Sequence, residues 1–275
     1  MKKICLLVAT ACLLTCCKPK KDLSWTAIGD SITYLDTHPD EAGNRITAGY
    51  MKRVEKRLPR VHYINQGYSG WTSTDIAHRI EKLKLQKADI YSVFLGTNDW
   101  WRGVPIGKLS DYQNNTGDTT VYGAYRVIVN KLRDLNSDAH IILITPMQRG
   151  DFVYIKNFKN NAYGSYKTKK GQSLSAVADA IKTIAKLEKF DMVDLYYNSG
   201  INVQNVVKYK RLRDTITNQY KLYTYPAYTT QPFNPATDNY PYPPDAIDMT
   251  YDGLHPSDKG FTIIANMLVK VIKKY

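Results

Sequence analysis

Short apolar, β-branched runs alternate with stretches of helical spacing along most of this chain, and that alternation leaves few architectures open. Residues 24–28, 61–65, 90–95, 141–145 and 192–195 have the length and composition of buried strands. Between them lie stripes of period 3.6. Ile46, Tyr50, Val54 and Leu58 form one; Ile76, Ile80 and Leu83 a second; Val121, Tyr125, Ile128, Val129 and Leu132 a third; Leu174, Val177, Ile181, Ile184 and Leu187 a fourth. A last helix is expected over residues 257–272. Strand and helix in strict alternation mean a parallel sheet with helices on both faces, because a parallel connection has to cross over and a helix is the usual way to do it.

Five strands with crossovers of this length suggest an α/β, flavodoxin-like three-layer sandwich with strand order 2-1-3-4-5, and such sheets bind ligands beyond the carboxyl ends of their strands. A site is thereby located before any motif is considered. At 275 residues the chain suits one sizeable core better than two separate domains, so 24–275 reads as a single domain. Residues 196–250 interrupt the alternation: rich in Tyr, Pro, Asn and Thr, they read as a long insertion of functional or mobile character.

Residues 1–17 differ from everything after them. Lys2 and Lys3 precede an uncharged apolar run from Ile4 to Leu14, about 11 residues where a bilayer span needs roughly 20. The layout is that of an export signal. Its ending, Leu14, Thr15, Cys16, Cys17, resembles the bacterial lipoprotein signal, which implies acylation at Cys17, with Cys16 as the alternative. Residues 18–23 would then tether the domain to a membrane facing the periplasm or the cell surface. A plain secretory peptide with incidental cysteines is the other reading. All four cysteines, Cys5, Cys12, Cys16 and Cys17, fall in this leader, so no disulfide or thiolate metal site is expected in the mature chain. The formal net charge of +13 comes from basic residues scattered over several helices; without clustering or interleaved aromatics it does not describe a nucleic-acid binder, and attraction to an acidic glycan stays open.

Four short motifs fall where the strands end. Gly29, Asp30, Ser31 and Ile32 follow the first. A hydroxyl at a strand exit can stand in the open crevice with helix N-terminal amides nearby, although Asp30 and Ser31 would serve equally as a helix cap. Asn65 to Gly70 follow the second strand and Gly96, Thr97, Asn98 and Asp99 the third; turns and Asx caps explain either one alone. Asp252, Gly253, Leu254, His255 and Pro256 precede the last helix.

In this order and placement the four blocks resemble the GDSL/SGNH hydrolases across nearly the whole chain, the family letters being Ser31, Gly70, Asn98 and His255, with Ile32 in place of the usual Leu. The resemblance implies a serine esterase that works through an acyl-enzyme without a cofactor. Ser31 would be the nucleophile, His255 general base then acid, and Asp252 the carboxylate that orients it; the amides of Ser31 and Gly70 and the side chain of Asn98 would form the oxyanion hole. The chemistry asks for these types: a serine hydroxyl is a weak nucleophile until a base titrating near neutrality takes its proton, and the alkoxide that follows needs preorganised donors. Asp30 reads as a structural hydrogen-bonding residue. His38, His62, His78 and His140 lack a carboxylate at motif spacing and read as structural or surface residues, and no His-Glu-x-x-His or other metal spacing is present.

Trp71, Trp100 and Trp101 directly follow the Gly70 and Asn98 blocks and are candidates for the crevice rim, where aromatic walls suit a sugar ring or an acyl chain; ordinary packing explains them as well. Tyr220, Tyr223, Tyr225, Tyr228, Tyr240 and Tyr242 make the 196–250 stretch a candidate lid or glycan-contacting loop. The expected reaction is deacetylation of a carbohydrate ester. A lipase or thioesterase acting on acyl chains, an O-acyltransferase, and a non-catalytic glycan-binding lipoprotein are the alternatives.

Overall fold

A computed structural model describes residues 21–275 of the chain. The leader and both candidate lipidation cysteines, Cys16 and Cys17, lie outside the described residues. Of the expected tether, Leu23 already belongs to the first strand, β1 (Leu23–Gly29). There follow α1 (Ser31–Tyr34), α2 (Tyr50–Arg57), β2 (Val61–Gly67), α3 (Ser73–Arg79), β3 (Ile90–Phe94), α4 (Thr97–Arg102), α5 (Leu109–Gln113), α6 (Val121–Leu135) and β4 (His140–Ile144). Then come β5 (Phe152–Tyr154), β6 (Asn157–Ala162), α7 (Leu174–Glu188), β7 (Asp191–Val193), α8 (Leu195–Asn198), β8 (Lys210–Arg213), β9 (Tyr220–Tyr223) and α9 (Asp258–Ile272).

The central sheet runs β2-β1-β3-β4-β7, every pair parallel, which is the flavodoxin-like order. Side chains alternate across a strand, and here each set meets its own layer of helices. Trp25, Ala27, Ile142 and Ile144 pack toward the side of α2 and α9; Ile28, Tyr91, Val93, Ile141 and Leu143 pack toward α3, α6 and α7. A strand buried on both faces can carry an unbroken apolar run, which is why β3 and β4 read so clearly in the sequence. Trp25 Nε1 donates to Ser92 Oγ at 2.8 Å, satisfying the one polar atom of the largest side chain between two strands.

Two elements end where local chemistry overrides the apolar pattern. The stripe ending at Leu83 outlasts α3, which stops at Arg79; beyond it Lys84 turns the chain at φ +51°. The expected strand over 192–195 is cut at Val193 because Asp194 caps α8, accepting from the Tyr197 amide. The 196–250 stretch is ordered by a hairpin, β8–β9, and by short 3₁₀ turns, so it is not a structureless insertion. A second hairpin, β5–β6, which no apolar periodicity predicts, stands over the carboxyl edge of the sheet. Among the described residues no helix is long and apolar enough to cross a membrane.

Candidate active site

β1 delivers the first functional side chain. Asp30 caps α1, its Oδ1 accepting from the Ile32 amide at 3.0 Å, and this places Ser31 at the first helical position. Asp30 is buried, and the loss of solvation raises its carboxyl to about 6, partly countered by that amide and by the charges of His255 and Arg149. Ser31 Oγ lies 2.9 Å from His255 Nε2, and His255 Nδ1 lies 2.7 Å from Asp252 Oδ2. A carboxylate only accepts, so Nδ1 carries the ring proton and Nε2 is left to accept from the serine hydroxyl.

The loop that presents His255 is held from several directions. Asp252 Oδ1 accepts from the amides of Leu254 (3.0 Å) and His255 (2.7 Å), and Thr250 Oγ1 accepts from Gly253 N while donating to Val206 O at 2.7 Å. Gly253 sits at φ +89°, and a Cβ there would come 1.7 Å from Asp151 O, so only glycine fits. Its carbonyl accepts from Gly150 N at 2.8 Å, tying the loop to the segment after β4. The imidazole is 7% exposed, stacked on Tyr251 and met edge-on by Phe152 at 5.3 Å, while Asp252 is fully buried.

Gly70 lies in the turn after β2 at φ +78°, lining the same cavity as Ser31, and nothing among the described residues accepts its N–H. Asn98, on α4, lines it too. Its Nδ2 donates to Trp71 O at 3.0 Å, which fixes the amide plane with one of its two protons and leaves the other free. Asp99 anchors this block from behind: fully buried, it accepts from the Ser73 amide at 3.0 Å, and burial raises its carboxyl to about 6. The structure therefore brings Ser31, Gly70, Asn98, Asp252 and His255 together on a cavity of about 410 Å³ at the carboxyl edge of the sheet.

The three tryptophans separate. Trp101 lines the cavity. Trp100 does not: it is fully buried, donating from Nε1 to Gln172 O at 3.1 Å, because α4 turns successive side chains to different sides. Trp71 does not line the cavity either: partly buried, it stacks on Tyr68 at 4.5 Å and is covered by Arg79. The six candidate tyrosines of the 196–250 stretch, Tyr220, Tyr223, Tyr225, Tyr228, Tyr240 and Tyr242, are absent from the cavity lining as well. Tyr228 and Tyr242 are buried; Tyr240 donates to Val153 O at 3.1 Å and Tyr242 to Asp151 O, so part of this stretch braces β5 from behind. The wall itself comes from Tyr34, Arg149, Phe152, Tyr154, Asn160 and Tyr251. Sequence reasoning missed Arg149 and the hairpin residues. The one available signal for Arg149 was its place just past the carboxyl end of β4. His38 stacks on Tyr34, His140 on Tyr275, and His62 and His78 lie at the surface beside carboxylates.

A parallel sheet carrying a Ser–His–Asp chain beyond its strand ends defines a class, the α/β serine hydrolases. The chain belongs to the GDSL-like lipase/acylhydrolase family, whose model matches residues 27–263, and it is an ester-acting hydrolase. Among solved structures it is similar to a possible lipase from Chitinophaga pinensis at 56% identity over 92% of this chain and 98% of that one, with a TM-score of 0.91. A protein from Lactobacillus plantarum (20% identity, 94% and 99% covered, TM-score 0.62) and an acetyl xylan esterase (17%, 90% and 99%, 0.54) share the fold. None of the curated proteins matches.

Proposed function

We propose that Ser31, His255 and Asp252 hydrolyse a carboxylic ester through an acyl-enzyme, and that the substrate is a short acyl ester, foremost an acetyl ester, of a carbohydrate. The observation that carries the reading is the unbroken chain from Asp252 through His255 to Ser31, open to the cavity at its serine end. Ser31 Oγ attacks the acyl carbonyl as Nε2 takes its proton; the alcohol leaves with that proton, and a water activated by the same imidazole releases the acid. Donors at Ser31 N, Gly70 N and Asn98 Nδ2 receive the oxyanion, each worth roughly 10² to 10³ in rate. The cavity wall is polar and aromatic in mixture, with Tyr34, Asn160 and Arg149 among the rings, which suits hydroxyl groups better than a long acyl chain.

The likeness to a possible lipase favours longer acyl chains as the second reading. Hydrolysis of p-nitrophenyl acetate, butyrate and octanoate by the full-length chain and by Ser31→Ala separates them. The expected outcome is best cleavage of acetate and a loss of roughly 10⁴-fold or more in Ser31→Ala. Preference for octanoate turns the reading to a lipase; full activity in Ser31→Ala removes the nucleophile. Export and lipidation at Cys17 complete the proposal and rest on the leader sequence.

A further inference from the structure

Arg149 enters the cavity wall from the segment after β4, with its backbone amide donating to Ser165 Oγ at 3.0 Å and its carbonyl accepting from Ser165 N at 2.9 Å. The side chain is 1% exposed and lies among Trp100, Trp101 and Phe152, whose ring centroids stand 5.6, 5.7 and 6.0 Å from its Cζ. A guanidinium has five N–H donors in its plane. Among the described residues it makes a single hydrogen bond, Nε to Gly150 O at a long 3.5 Å, and Nη2 has no partner. Aromatic faces can attract the charge, but they offer no acceptors to the in-plane donors.

The carboxylates close enough to act on this charge are already engaged. Asp252 holds His255, Asp151 holds Lys210 at 2.8 Å and accepts from Tyr166, and Asp30 accepts from the Ile32 amide. Glu41, elsewhere on the cavity wall, accepts from Tyr34 Oη at 3.0 Å. Burial lowers Arg149 only to about 10, so it is charged at neutral pH. Lys169 lies over Trp101 at 4.2 Å, adding a second cation on the same ring. A buried cation without an acceptor is costly to keep, and a carboxylate of the ligand supplies two coplanar oxygens that match the fork.

We propose that Arg149 is a specificity-determining residue that binds a carboxylate of the substrate, so that the preferred ester is carried by an acidic sugar such as an O-acetylated hexuronate. This rests on the proposed hydrolysis of carbohydrate esters. Exclusion of water by Trp101 and Phe152 strengthens the ion pair, and a neutral sugar in the same place would leave the guanidinium unpaired.

The test has a binding arm and a kinetic arm, both on the full-length chain. Sodium glucuronate is titrated calorimetrically against the wild type, Arg149→Met and Arg149→Lys, with glucose as the neutral control and thermal melts to verify folding. Binding of glucuronate over glucose, weakened tenfold or more in Arg149→Met and partly kept in Arg149→Lys, is the expected result. Equal binding by wild type and Arg149→Met, or none by the wild type, overturns the carboxylate site. In the kinetic arm, kcat/KM is compared for an acetylated methyl glucuronoside and its neutral methyl ester. The acid form is expected to be preferred at least tenfold, a preference that Arg149→Met loses through KM. A ratio near one in the wild type, or an equal fall on both substrates in Arg149→Met, overturns the proposal. Glucuronate binding that depends on Arg149 while neither ester is cleaved keeps the anion site and refutes the hydrolase reading instead.

Discussion

Asp252 uses both carboxylate oxygens, one for two backbone amides of its own loop and one for His255 Nδ1. Asp252→Asn keeps an acceptor for the amides but turns an NH₂ toward the ring. The imidazole must then present its lone pair at Nδ1 and its proton at Nε2, and it can no longer accept from Ser31. We expect kcat on p-nitrophenyl acetate to fall about 10⁴-fold with the unfolding midpoint in urea little changed; an active Asp252→Asn would show that His255 needs no such orientation. These residues were legible because each sits in a short block at a strand exit, where sequence neighbours are also spatial neighbours. Arg149 was not legible, since one of 38 basic residues stands out only when its burial and missing partners are seen.

Helix α2 shows how elements depend on residues far from them. Its N-cap, Gly49, has no side chain to offer, and the first-turn amides of Met51 and Lys52 donate instead to Asp36 at 2.8 and 3.2 Å. Burial raises the Asp36 carboxyl from 3.8 to about 6 in the folded chain, against these amides, which lower it. Between those values the folded chain holds the proton more firmly than the unfolded one. The stability it contributes is thus fully present below about pH 4 and lost as pH rises through about 6. Asp36→Asn is expected to flatten that decline by up to about 3 kcal/mol, read as urea midpoints from pH 4 to 7. An unchanged slope would assign the dependence to Asp30 and Asp99, whose carboxyls are raised in the same way. Periodicity revealed the central strands to within about two residues, most clearly β1, β3 and β4, which are buried on both faces. The hairpin β5–β6 stayed hidden because Asn157, Lys159, Asn160 and Asn161 make its second strand polar, and β8 because it pairs charged Lys210 and Arg211 with tyrosine-rich β9. Tyr240 and Tyr242, expected in a binding loop, brace the β5–β6 hairpin instead, a role that depends on contacts some 90 residues apart.

At the scale of the whole molecule, the order β2-β1-β3-β4-β7 puts the ends of β1, β2 and β3 side by side, so three of the four motif blocks meet without any long loop. The fourth arrives from the segment before α9, tied back to the residues after β4. The proposed anchor belongs to this scale. Replacing Cys17 by Ala is expected to move the protein from the membrane fraction to the soluble one and to abolish incorporation of labelled palmitate, and an unchanged distribution would remove lipidation at that cysteine. β1 enters the sheet at Leu23 and delivers Ser31 beyond its far end, a rise of about 20 Å. Five residues, 18–22, separate Cys17 from Leu23, a leash of at most about 22 Å, comparable with the radius of gyration of a domain this size. Were Cys17 to carry the proposed lipid, so short a leash would keep the domain from somersaulting to bring its mouth down to that lipid. It would fish outward, away from its own bilayer, catching what drifts in from the surroundings.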